Sequence, residues 1–157
     1  MTITKERWAE IEAELNHLFS LQVFRADGYV VSARLSRLKS RLLIEVHVNG
    51  YIRGEWFPRR GKPMAEEARR FWRHTTKGVG SKAFISKWEK AFGKRAAKAR
   101  GLYDTWVWAE PYFFSAKAFV RHLRKHNTDI TEMSDQDYLE YLHAIKEPTT
   151  EPTTEQA

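Results

Sequence analysis

His122 and His126 stand one helical turn apart, the spacing in this chain that comes nearest to a metal-binding pattern. Side chains at i and i+4 share a helix face and can bring two imidazoles to one ion. No His-Glu-x-x-His run accompanies them and no third ligand can be named. They read instead as surface histidines beside Arg121, Arg124 and Lys125, and no metal is expected. Among the acids, Asp104 and Glu110 bracket a candidate strand, while Glu45 and Glu55 fall in a predicted sheet. A metal-dependent nuclease would need such carboxylates to converge beside a Lys and a divalent ion. Their spacing matches no such pattern, so they read as structural acids. The chain has no Cys, which excludes thiolate nucleophiles, thiolate metal sites and disulfides. It also lacks a Gly-rich phosphate loop and a nucleophile elbow. No catalytic residue and no cofactor are therefore assigned.

The residues with a clearer chemical message are basic. Arg53 to Arg100 holds fifteen Lys/Arg against four Glu, a local excess of +11 in a chain of net charge +7. Such a block attracts phosphates or an acidic partner. The candidate nucleic-acid-binding residues are Arg59, Arg60, Arg69, Arg70, Arg73, Lys77, Lys82, Lys87, Lys90, Lys94 and Arg95. On predicted helices, Lys and Arg opposite an apolar stripe can follow a phosphate backbone. The same charges also suit a solvated helix face, and Glu66 four residues before Arg70 fits an ordinary helix pair. A helix-turn-helix over 64–75 and 81–92 is conceivable, although the connection is long and holds two Gly. Trp106, Trp108, Tyr112, Phe113 and Phe114 form a dense aromatic run. Such a run stacks bases, anchors a protein partner or fills a core.

The elements that would position these residues follow from periodicity. Residues 4–19 form an amphipathic pattern with Thr4 as N-cap and Trp8, Ile11, Leu15 and Leu18 at helical spacing. Leu21–Ala26 and Tyr29–Leu35 flank Asp27-Gly28, and Leu42–Val48 and Tyr51–Trp56 flank Asn49-Gly50, both favoured two-residue hairpin turns. Ser36–Arg41 reads as a longer hairpin loop. The spacing predicts a helix from Met64 to about Thr75, a loop over 76–80, and a second helix capped by Ser81 with Phe84, Ile85, Trp88, Ala91 and Phe92 inward. Lys94–Arg100 is helical again and stops at Gly101. Leu102–Ala109 is a candidate fifth strand, Ser115 opens a helix ending near Asn127, and Ser134-x-x-Asp137 opens a last one. The expected class is α+β: a four- to five-stranded antiparallel sheet, a meander of two hairpins, with several amphipathic helices packed on one face.

These elements amount to one domain over 1–146, followed by a Pro/Thr/Glu tail, 147–157, that has no apolar surface to bury before its final Ala and is expected to be disordered. The first residues lack an apolar signal region and no apolar run reaches membrane-spanning length. A cytoplasmic protein without a membrane partner is expected.

Three segments carry a resemblance: Val48-Asn49-Gly50-Tyr51-Ile52-Arg53-Gly54-Glu55-Trp56, Glu67-Ala68-Arg69-Arg70-Phe71-Trp72-Arg73 and Lys90-Ala91-Phe92-Gly93-Lys94-Arg95. In that order they resemble small uncharacterised basic proteins encoded by bacterial phages and prophages, over most of residues 5–130. The resemblance brings no activity and no catalytic residue with it. It implies an accessory role in a host cytoplasm. The first expectation is a non-enzymatic protein contacting DNA, RNA or a ribonucleoprotein through its basic half. The alternative is a protein-binding inhibitor of a host defence or nucleic-acid-processing complex, of anti-CRISPR type. A metal-dependent nuclease ranks third.

Overall fold

The computed structural model describes residues 2–146, so the expected tail lies outside the described residues. In chain order the elements are α1 (Lys5–Glu14), β1 (Leu21–Ala26), β2 (Tyr29–Leu38), β3 (Arg41–Val48), α2 (Glu66–Phe71), β4 (Arg73–Gly78), α3 (Lys82–Phe92), α4 (Lys94–Ala99), β5 (Thr105–Glu110), β6 (Tyr112–Phe113), α5 (Ala116–His126), β7 (Ile130–Glu132) and α6 (Asp135–Lys146). The class is α+β. Five strands form an antiparallel sheet in the order β6-β3-β2-β1-β7, and β4 and β5 form a separate two-stranded ribbon.

The turns set this frame. Asp27 and Gly28 have φ of 48° and 89°, and Asn49 and Gly50 have 51° and 82°, as a type I′ turn requires. Asp27-Gly28 joins β1 to β2, with Ala26 opposite Tyr29. β2 runs three residues past its expected end and reverses at Lys39-Ser40 into β3, so 36–41 is a tight hairpin and not a long loop. Beyond Asn49-Gly50 the expected fourth strand, 51–56, does not form. Only the bridge between Val48 and Tyr51 is made, and a 3-10 turn follows over Gly54–Trp56. β6 takes the edge of β3 instead, and the Val46 N–H donates to the Pro111 carbonyl at 2.9 Å.

Both faces of the sheet are covered, not one. Phe24, Val31, Ile44, Val46 and Val48 point to the face where Trp8 and Ile11 of α1, Phe71 of α2 and Phe119 and Leu123 of α5 are buried. On the other face Val23 and Val30 pack with Tyr138 of α6, whose hydroxyl bonds Ser32 Oγ at 3.0 Å. Ser134 caps that helix by accepting from the Asp137 N–H. Gly50 lies under α6. A Cβ there would stand 2.9 Å from Ile145 Cδ1 and 3.0 Å from Leu142 Cδ2, at a φ that L side chains rarely adopt, whereas a Cβ on Gly28 meets open space. Gly50→Ala is therefore expected to cost about 1–2 kcal/mol more than Gly28→Ala, where only the backbone strain applies. Equal urea midpoints for the two variants would show that α6 is not held there.

Three further departures have local causes. α1 stops at Glu14, because i→i−3 bonds from Asn16 and His17 tighten its end, and Leu18 and Phe19 project into solvent, 57% and 100% exposed. α2 stops at Phe71, because Trp72 is extended and 73–78 pair with β5. Residues 76–80 are thus mostly strand, and the helix-turn-helix expectation fails, since β4 separates the two helices it needed. Finally, α3 is capped by Ser81 as expected, with Ser81 Oγ accepting from the Phe84 N–H, but it buries none of its residues.

Candidate nucleic-acid interface

β4 and β5 leave the core as an antiparallel ribbon, with α3 and α4 joining their outer ends. At its inner end Trp72 is fully buried against Trp56 and Phe57, and Ala109 is buried. At its outer end Thr76, Lys77, Gly78 and Thr105 are exposed. Cross-strand partners share a face. Lys77 opposes Trp106 and Thr75 opposes Trp108, so one face of the ribbon carries Lys77 and both indoles. Lys77 Nζ lies 4.1 Å from the Trp108 ring centre, and Phe57 packs on Trp108 at 5.8 Å. Arg59 and Arg60 follow Phe57 in the chain and are both exposed.

Ion pairing divides the sequence-predicted cations into two groups. Arg69 bonds Glu66, Arg70 bonds Glu66 at 3.0 Å and Asp27 at 2.7 Å, and Arg73 bonds Glu110, its cross-strand neighbour. Arg70 and Arg73 join elements distant in the chain, Arg69 pairs within its own helix, and the charge of all three is locally compensated. Lys77 on β4, Lys82, Lys87 and Lys90 on α3, and Lys94 and Arg95 on α4 have no carboxylate within ion-pair distance among the described residues. Lys98 and Arg100, not singled out from the sequence, join them. From Lys77 to Arg100 there are thus eight such cations and one acid, Glu89, which accepts from the Tyr103 hydroxyl. The signal that could have found Lys98 and Arg100 was their position in the same Lys/Arg-rich helical stretch as Lys94.

The aromatic run is divided as well. Phe113 is core, Tyr112 is half-buried at the sheet edge, and Phe114 is 58% exposed under Arg73. Trp106 and Trp108 belong to the ribbon. The apolar stripe of α3 is not inward: Phe84 is 48% and Phe92 63% exposed, and Trp88 packs on Phe92 at 4.4 Å with Arg100 over its ring at 4.8 Å.

The acids lie apart. Asp104 and Glu110 sit at opposite ends of β5, roughly 20 Å apart at strand rise. Glu45 neighbours Arg34 and His47, and Glu55 neighbours Arg53. The histidines do come together, but with a third that the sequence did not indicate. His74 of β4 packs against His122 and His126, with ring centres 4.8 and 5.5 Å away, and the last two are 4.2 Å apart. The Nε2 atoms of His74 and His122 face the carbonyls of Ala68 and Arg69 at 3.2 and 3.3 Å. A carbonyl only accepts, so each Nε2 carries the proton. Burial, and the positive field of His126, His74 and Lys125, push His122 down to about 3; burial, His74, Lys125 and Arg69 lower His126. The pair is thus not a solvated surface feature. Among the described residues no group of three or more His, Cys, Asp or Glu is placed to hold a metal ion.

No helix among the described residues is long and apolar enough to cross a membrane. The fold and this surface define an α+β protein with a basic, aromatic arm. Compared with known proteins, the chain matches no family model, no curated sequence and no solved structure.

Proposed function

We propose that the protein is a non-enzymatic accessory protein, of the phage type its sequence resembles, that contacts nucleic acid or a ribonucleoprotein through the arm formed by β4, α3, α4 and β5. The observation that carries this reading is the run of eight cations from Lys77 to Arg100 that have no carboxylate partner among the described residues. Charges used for stability are normally paired with acids, as Arg69, Arg70 and Arg73 are; a surface with one acid to eight cations favours an external anion. The exposed Phe84 and Phe92 favour the second reading, a protein-binding inhibitor of a host complex, because exposed aromatic residues also anchor protein partners.

The test is binding of labelled oligonucleotides over a salt series. Wild type should bind at low salt and weaken steeply as salt rises. Replacing Lys82, Lys87 and Lys90 together by Gln should weaken binding tenfold or more. It should also lower the slope of log K against log salt by about 2, at roughly 0.7–0.9 for each phosphate that is no longer neutralised. Absence of binding at low salt would sink the nucleic-acid reading.

A further inference from the structure

Resting on the nucleic-acid reading, we infer that the arm takes a single strand in preference to a duplex, stacking unpaired bases on Trp106 and Phe92 between its lysines. Each ring is propped by a second aromatic and accompanied by a cation. Trp106 stands edge-on to Trp108, with centres 5.7 Å apart and planes at 78°, and Lys77 is its direct cross-strand neighbour. Trp108 is already occupied, with Lys77 on its ring and Phe57 packed against it, so Trp106 is the indole of this pair left to receive a base. On α3 the arrangement recurs. Trp88, with Arg100 over its ring, supports Phe92, which is 63% exposed.

The choice between strands follows from what each form offers. A duplex presents phosphates and groove edges, and its base faces are covered by their neighbours. It can use the lysines but not the ring faces. A single strand presents both phosphates and base faces, and stacking is indifferent to base identity because every base has a π-face. Phe92 is not needed for the core, since α3 buries no residue, so its exposure is accounted for by the same ligand that accounts for the unpaired cations. The shared chemistry is an unpaired polynucleotide, of ribose or deoxyribose.

The test compares anisotropy titrations of the full chain with four 20-mers: oligo-dT, oligo-rU and mixed-sequence DNA and RNA duplexes. Single strands should bind at least tenfold more tightly than duplexes. The tighter of the two single strands identifies the sugar. Trp106→Ala and Phe92→Ala should each weaken single-strand binding about tenfold and leave duplex binding unchanged, whereas Trp106→Phe, which keeps a ring, should retain most of it. Unfolding of Trp106→Ala would leave Phe92→Ala, on a helix outside the core, to decide. Duplex binding as tight as single-strand binding, or single-strand binding untouched by both alanines, would overturn this inference and leave the nucleic-acid reading standing. No salt-sensitive binding to any of the four would overturn both.

Discussion

Asp27→Ala is expected to destabilise the protein by about 3 kcal/mol, a fall in Tm of roughly 10 °C for a chain of this size. The Asp27 carboxylate accepts from Arg70 Nη1 at 2.7 Å and from the backbone N–H groups of Thr128 and Asp129 at 2.9 and 2.8 Å. These bonds tie the β1–β2 turn to α2 and to the segment between α5 and β7. The two N–H donors and the Arg70 guanidinium hold its carboxyl below the usual range. Removal leaves Arg70 with Glu66 and a longer bond to Asn127 Oδ1, leaves both amides without this acceptor, and places Ala at a φ of 48°, which Asp tolerates better. Asp27→Asn keeps the turn preference and one carbonyl acceptor, so it should lose less. A thermal melt of the three proteins checks the order wild type, Asn, Ala. A Tm for Asp27→Ala within about two degrees of wild type would show that the junction is not held this way.

Acid should loosen the same side of the molecule by another route. The folded-state pKa of His122 lies far below its unfolded value, at about 3 against 6.5. The native state therefore binds fewer protons than the unfolded state between these limits, and its stability falls as pH falls through that window. The full effect is present above about pH 6.5. By pH 4.5 the His122 contribution alone should be reduced by about 2–3 kcal/mol. His126, lowered as well, adds in the same direction. The carboxylates act elsewhere on the scale. Asp27 and Glu66 are held below their ordinary values, so their contributions are present above the usual carboxylate range and are lost as pH falls through and below it. Urea unfolding at pH 7 and pH 4.5 should thus read mainly the histidines. His122→Phe, which keeps an aromatic ring against Phe113 and His74 but cannot take a proton, should remove the His122 share of the drop and leave the shares of His126 and of His47, which burial also lowers. An equal drop in wild type and variant would place the acid sensitivity elsewhere.

The two predictions differ in how much of their basis the sequence displays. Asp27-Gly28 is legible as a turn, because φ > 0 at two successive positions is a local demand that few residues meet. Its role as the acceptor for three distant donors is not legible, because Arg70, Thr128 and Asp129 reach it only through the packing of α2 and α5 on the sheet. His122 and His126 are legible as neighbours on one helix face. His74 joins them only because β4 is a strand, and β4 is a strand only because β5, some thirty residues later, pairs with it.

The sequence by itself determined what depends on near neighbours: both type I′ turns, strand β1 and the core of β2 and β3, the capped starts of α3, α5 and α6, the stop of α4 before Gly101 and the α+β class. Tertiary structure decided what depends on competition between distant partners. Residues 51–56 have strand composition, but the edge they would have used pairs with Tyr112 and Phe113. Residues 73–75 continue a helical pattern, but ribbon pairing with β5 satisfies their backbone better. The same holds for charge. Eleven cations look alike in the sequence, and the folded chain brings carboxylates to Arg69, Arg70 and Arg73 while leaving the lysines of the arm from Lys77 onward without an ion-pair partner among the described residues. Turn and cap preferences act over a few residues and are written locally, whereas strand pairing and ion pairing are settled by which distant groups the fold brings within reach.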